Sequence, residues 1–178
     1  MKSSDFRNVV FLGHGGSGKT SLAEAMLFNA KAIDRLGRIT DGNTALDYDQ
    51  EETKRNVSIN TALAPYDWNG ARVNIIDTPG YFDFVGEMLE GVQVADSAVI
   101  VVAGTVAVGT EKAWDCVNSK NIPRAFYFNK LNDETADFEK LYTEIKSLFG
   151  NSCVALQLPI RKDRKLAGYV DTVTRKAK

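Results

Sequence analysis

Residues 13–20 read Gly-His-Gly-Gly-Ser-Gly-Lys-Thr, directly after the apolar run Val9-Val10-Phe11-Leu12 and before a helix-forming stretch from Ser21 to Phe28. This is G-x-x-x-x-G-K-[ST], the phosphate-binding loop, in its proper setting between a strand and a helix. The chemistry explains the letters. Glycines let successive backbone N–H groups turn inward and form an anion nest at a helix N-terminus. Gly13, His14, Gly15, Gly16, Ser17 and Gly18 are therefore candidate phosphate contacts. Lys19 would bring a point charge to the β- and γ-phosphates, and the Thr20 hydroxyl would ligate Mg²⁺. A chain with this loop is expected to fold as an α/β domain that binds a nucleotide.

The rest of the chain fits one α/β domain over residues 1–178. Strand-like runs at 8–12, 58–68, 71–76, 97–103, 124–129 and 153–158 alternate with helical patterns at 19–30, up to about Val94, 109–118 and 136–149. Asn69-Gly70 makes 58–68 and 71–76 a hairpin, hence one antiparallel strand in a mostly parallel sheet with helices on both faces. The run 97–103, Ser-Ala-Val-Ile-Val-Val-Ala, suits a buried central strand. Phe84, Met88 and Val92 share one helical face, as do Phe138, Leu141, Ile145 and Leu148, and Gly150 closes the last helix. From Leu36 to Lys54 the chain is polar, without amphipathic periodicity, and reads as a long irregular segment of functional or mobile character.

Charge and cysteine content exclude other classes. With 22 basic and 23 acidic residues the net charge is −1, so a generally cationic nucleic-acid binder is not expected. The basic clusters Arg161–Lys165 and Arg175–Lys178 read as solvated surface. Cys116 and Cys153 lack metal-ligand spacing and read as small buried hydrophobes in a reducing compartment. Trp68 and Trp114 read as structural aromatics. Residues 1–8 carry no apolar signal core, and no apolar run approaches the roughly 18 residues of a membrane span, so the expected location is the cytoplasm, away from membranes.

Two further motifs end strands. Asp77-Thr78-Pro79-Gly80 places a carboxylate that can hold Mg²⁺ through water and a glycine N–H that can face a γ-phosphate. Asn129-Lys130-Leu131-Asn132 is similar to N-K-x-D, which reads guanine.

Taken with 47–59 (D-Y-D-Q-E-E-T-K-R-N-V-S-I), 68–84 (W-N-G-A-R-V-N-I-I-D-T-P-G-Y-F-D-F), Gly109-Thr110, 129–138 and Leu158-Pro159-Ile160, the chain resembles the GTP-binding domain of the translational GTPases, closest to elongation factor G and its elongation-factor-G-like relatives. The resemblance covers essentially the whole chain. It implies a GTPase-type phosphate-loop fold, Mg²⁺ with GTP or GDP, hydrolysis to GDP and phosphate, and action on the ribosome through the full-length factor. It implies no sequence-specific nucleic-acid binding by this domain. A ribosomal-protection or release-type relative, or a nucleotide sensor with little hydrolysis, are the alternatives. Residues 37–56 would be a switch ordered by GTP and released after hydrolysis. Ser58 stands where the family usually has threonine and keeps the hydroxyl for Mg²⁺. Residues 161–178 would begin an insertion within the domain of a longer multidomain factor.

Three departures bear on function. Asn132 replaces the carboxylate that accepts from guanine; an amide offers one acceptor and one donor, which suits a base with a carbonyl at C2, such as xanthine. Neighbouring Asp133 could substitute by a one-residue shift. Tyr81 stands where the family has a histidine that positions the attacking water, so it either packs on the switch or slows hydrolysis. The family's last base-contacting loop, usually Ser-Ala-x at a strand end, has only Ser152-Cys153-Val154 here, expected to open a strand. His14, the sole histidine, reads as a packing residue of the loop.

Overall fold

The computed structural model describes residues 2, 5–163 and 165–178. Met1, Ser3 and Ser4 of the N-terminal segment and Arg164 of the first basic cluster lie outside the described residues. The chain divides into two units, Met1–Val102 with Ala107–Tyr127, and Ala103–Val106 with Phe128–Lys178.

In the first unit, β1 (Phe6–Leu12) runs parallel to both β3 (Ala71–Asp77) and β4 (Ser97–Ala103), and β2 (Ala62–Trp68) pairs antiparallel with β3. With β5 (Arg124–Asn129) they make a five-stranded sheet in the order β2-β3-β1-β4-β5. The helices are α1 (Lys19–Asn29), α2 (Gln50–Arg55), α3 (Val85–Val94) and α4 (Val108–Lys120). Alternation along the strands places helices on both faces. Phe11 and Ile75 share a cluster with Ala23 and Leu27 of α1, joined by Leu46, Ala62, Ala64 and Tyr66. Their neighbours Val10 and Ile76 meet α3, where Gly91 is close enough that an added Cβ would lie 3.2 and 3.3 Å from their methyl groups. Trp114 stacks on Phe126 with centroids 5.5 Å apart, and the Arg124 guanidinium lies over its indole. Trp68, at the hairpin end, is exposed.

In the second unit, α5 (Phe138–Phe149) is capped by Asp137, whose side chain accepts from Lys140 N–H at 3.0 Å. Phe138, Leu141 and Ile145 are buried, whereas Leu148 in the last turn is exposed.

Several expectations are corrected. The segment 36–54 is not irregular throughout. A 3-10 turn occupies Ile39–Asp41, and Asp49 opens α2 with a capping box completed by Glu52. Strand β2 begins at Ala62, because the N–H groups of residues 59–61 bond to the carboxylates of Glu52 and Glu87. The α3 face is shallower than expected, with only Gly91 and Val92 buried.

The largest correction concerns the last strand. Residues 153–156 belong to no strand, and Val154 and Leu156 are exposed. The strand is β6 (Gln157–Lys162), antiparallel to β7 (Lys165–Asp171), which pairs with β8 (Lys176–Ala177) in a separate three-stranded sheet. Residues 157–162 and 165–171 are close neighbours in the chain and pair with each other, which outweighs the apolar run as a guide to pairing. Ser152-Cys153-Val154 therefore opens no strand. Both cysteines are half-buried rather than buried.

Candidate functional site

The turn from β1 into α1 ends at Gly18, whose φ of +97° suits glycine and delivers Lys19 as the first helical residue. Lys19 is buried, and its Nζ donates to the carbonyls of Gly13 at 3.0 Å and His14 at 3.2 Å. Burial lowers its pKa, against the opposing charge of Asp77. Thr78, buried in the turn after β3, donates to Phe11 carbonyl at 2.8 Å and ties that turn to β1. Gly80 consequently lies against the loop: a Cβ there would sit 2.6 Å from Gly15 N and collide with the Lys19 ammonium. The Tyr81 ring covers Gly15 so closely that a Cβ on Gly15 would be 2.7 Å from it, while about half of Tyr81 stays exposed. His14 abuts α4, where a Cβ on Gly109 would be 2.8 Å from its Cα.

Four oxygen-bearing side chains converge beside Lys19. Thr20 Oγ1 donates to Asp77 Oδ2 at 2.6 Å, Ser58 Oγ donates to Asp47 Oδ1 at 2.7 Å, and the two hydroxyl oxygens are 3.1 Å apart. Each hydroxyl has one proton to give. With both protons directed at carboxylates, the hydroxyl oxygens face each other with lone pairs only. Asp77 Oδ1 is also buried with no hydrogen-bond partner among the described residues. An excess of acceptors over donors in a buried place is a site for a hard cation. Among the described residues no group of three His, Cys, Asp or Glu side chains could hold a metal by itself. The two hydroxyls and two carboxylates that are present fit Mg²⁺, which takes one or two protein carboxylates and keeps several waters. Burial, helped by the charges of Asp47 and Glu24, raises the Asp77 pKa to about 7 against the pull of Thr20 and Lys19. Burial chiefly raises that of Asp47 as well.

Thr20, Ser58 and Asp77, the three residues expected around Mg²⁺, are thus brought together. Asp47 was missed, because nothing separates it in the sequence from its acidic neighbours.

The base-reading motif lies in the second unit. Asn129 ends β5, its Oδ1 accepting from Lys130 N–H at 2.9 Å, with Lys130 at φ +57°. Asn132 is exposed. Asp133 Oδ1 accepts from Thr135 N and Oγ1 at 3.0 and 2.9 Å, bonds that lower its pKa and engage one of its oxygens within the turn. Arg161 of β6, expected as solvated surface, instead straps this loop, donating to the carbonyls of Asp133 (2.8 Å) and Ala136.

A phosphate-binding loop between β1 and α1, with an oxygen-lined cation site at the end of β3, defines an α/β nucleotide-binding domain of the GTPase type. Comparison with known proteins narrows this. The family model described as the elongation factor Tu GTP binding domain matches residues 4–174. A mitochondrial ribosome-releasing factor 2 from Culex quinquefasciatus is 36% identical over 98% of this chain and 24% of its own length. An elongation factor G-like protein from Mycobacterium tuberculosis is 39% identical over 86% of the chain and 22% of its own length. A crystal structure of a protein from Thermus thermophilus superposes with a TM-score of 0.92 at 36% identity, over 96% of this chain and 26% of that one.

The chain belongs to the elongation factor Tu GTP binding domain family. It is a GTP-binding domain of the elongation-factor class, and it spans about a quarter of the length of these relatives. Among the described residues no helix is long and apolar enough to cross a membrane.

Proposed function

We propose that this domain is the Mg²⁺·GTP/GDP switch of an elongation-factor-G-like protein that acts on the ribosome from the cytoplasm. The observation that carries the reading is the oxygen cluster of Thr20, Ser58, Asp77 and Asp47 next to the buried Lys19. In this reading residues 13–18 and Lys19 hold the phosphates. Thr20 and Ser58 ligate Mg²⁺, Asp77 and Asp47 act on it through water, and Gly80 presents its N–H to the γ-phosphate. The ion, when bound, neutralises charge on the phosphate oxygens. Asn129, Lys130 and Asn132 read the base, and residues 1–178 form one GTP-binding domain whose insertion begins at 161–178. The names of the relatives support the ribosome as partner. The balanced net charge supports an absence of direct sequence-specific nucleic-acid binding by the domain. A nucleotide sensor with little hydrolysis is the second reading, favoured by Tyr81 at the histidine position.

The phosphate assignment is tested by Lys19→Ala. Losing a charge-assisted contact worth about 1.5–3 kcal/mol should weaken binding of labelled GDP roughly tenfold or more. Unchanged affinity would remove Lys19 from the phosphate site.

Base selectivity is tested by Asn132→Asp, which restores the guanine-accepting carboxylate. Competition titration should show GDP gaining on XDP. A constant GDP-to-XDP ratio would mean that Asn132 does not read the base.

A further inference from the structure

Arg161 stands in β6 at the point where its ladder with β7 is irregular. Ile160 pairs with Gly168 but Arg161 pairs with Leu166, so the register slips by one residue between them. Such a bulge raises the local twist and re-aims side chains. The half-buried Arg161 leaves the sheet here for the loop after β5, reaching residues 28 and 25 positions earlier in the chain. Its Nη2 donates to the Asp133 carbonyl at 2.8 Å, and its Nη1 donates to the Ala136 carbonyl. A guanidinium is planar and always charged, so two bonds from one fork fix both the place and the tilt of the backbone they hold.

That backbone carries the base-reading motif. It is built as two successive turns that share Asp133. Asp133 N–H donates to the Lys130 carbonyl at 3.0 Å, and Ala136 N–H donates to the Asp133 carbonyl at 3.1 Å. Asn132 lies inside the first turn, next to the junction. The loop starts from Asn129, whose Oδ1 accepts from Lys130 N–H, and ends at Asp137, which caps α5. Arg161 grips the junction of the two turns and the end of the second. The Asp133 side chain is directed into the second turn, where Oδ1 accepts from Thr135 N and Oγ1. A residue held by its carbonyl and by its carboxylate together has little freedom to trade places with its neighbour.

We propose that Arg161 is a positioning residue for base selection, holding the Lys130–Ala136 loop in the register that presents Asn132, and not Asp133, to the base. The inference rests on the reading of Asn132 as a base contact and adds a residue from the second sheet to the selectivity of that site. A one-residue shift that brought the Asp133 carboxylate to guanine would have to break the Arg161 strap and the bonds to Thr135 together.

The test is a double-mutant cycle in the intact protein, read as the GDP-to-XDP affinity ratio in competition titrations. Asn132→Asp should move the ratio toward GDP when Arg161 is present. In the Arg161→Ala background the same step should shrink by about threefold or more, within the coupling found between residues of one hydrogen-bonded network. A residue that merely supported the fold would weaken GDP and XDP alike and leave the step unaltered. Arg161→Lys keeps the charge but loses the planar fork. The step should shrink there too, and this variant carries the test if the alanine protein does not fold.

An Asn132→Asp step undiminished by the loss of Arg161 would overturn the proposal and leave the base reading standing. A full step in Arg161→Lys beside a reduced one in Arg161→Ala would assign the effect to charge rather than to the strap, and would overturn it as well. A ratio that Asn132→Asp moves in no background would remove Asn132 from the base, and the proposal would fall with that reading.

Discussion

Replacing Asp77 with asparagine is expected to stabilise the nucleotide-free protein at pH 8 by about 2–4 kcal/mol while abolishing the Mg²⁺ dependence of nucleotide binding. The reason is the environment of the carboxyl. It is 2% exposed, one oxygen accepts from Thr20, and the other has no partner among the described residues. Burial raises its pKa from the ordinary 3.8 to about 7, so the folded state holds the proton more tightly than the unfolded chain does. The sign follows from linkage. Below about pH 4 the group is protonated in both states and costs nothing. Between pH 4 and 7 the unfolded chain ionises first, and stability falls as pH rises. Above pH 7 the full cost is present. At about 1.4 kcal/mol per unit, roughly three units set a ceiling near 4 kcal/mol.

Asparagine still accepts from Thr20 and carries no charge to desolvate. Urea denaturation of wild type and Asp77→Asn at pH 5 and pH 8 should show a difference that widens with pH. A variant less stable than wild type at pH 8 would mean that Lys19 and Thr20 already compensate the charge. Mg²⁺ with nucleotide, which binds only the folded state, should recover the cost in wild type and not in the variant.

The same physics decides what could be read from the sequence. The phosphate loop was legible because its letters follow from backbone geometry: glycines where N–H groups must converge, and Lys-Thr where the helix begins. The hairpin was legible from Asn69-Gly70, which sit at φ +47° and +82° as the turn requires. The strand at 97–103 was legible because its apolar run is continuous.

Helix α2 carries no apolar stripe. Its signal was Asp49-x-x-Glu52, a capping box inside a run of polar residues, where periodicity is silent. Glu24, whose buried carboxylate accepts from Ala45 N and Leu46 N, had a subtler signal. Lys19, Thr20, Ala23 and Leu27 make one buried face of α1, and Glu24 stands four residues after Thr20 on that face. A carboxylate there can only be satisfied by something brought from far along the chain, and no local rule names Ala45 and Leu46. The register of β6 failed for a related reason. The apolar residues at 154, 156, 158 and 160 have the alternation of a strand, but pairing is decided by the partner, and the nearest partner is 165–171.

Restoring histidine at position 81 is expected to raise the single-turnover rate of GTP hydrolysis on ribosomes by about 10²-fold or more, within the range for groups that position or polarise an attacking water. The phosphates and Mg²⁺ have their candidate partners in this chain, Lys19 and the Thr20, Ser58 and Asp77 cluster, so the substitution addresses only the water. Tyr81 projects from the turn after Gly80, and its ring rests on Gly15 within the phosphate loop, with about half of the residue exposed. A ring used as a cover over that backbone carries its hydroxyl at the far end of a rigid lever. Imidazole is shorter and places a polar nitrogen on the ring itself. The tyrosine protein should bind nucleotide normally and hydrolyse it slowly, because its loss falls on the chemical step rather than on binding.

The measurement is single-turnover hydrolysis by the intact wild type and Tyr81→His at saturating ribosomes, with GDP affinity determined alongside. A rate increase at constant affinity would assign position 81 to the attacking water. A fast wild-type rate that histidine leaves unchanged would assign the water to another group, and Tyr81 would then be the aromatic cover that keeps Gly15 a glycine.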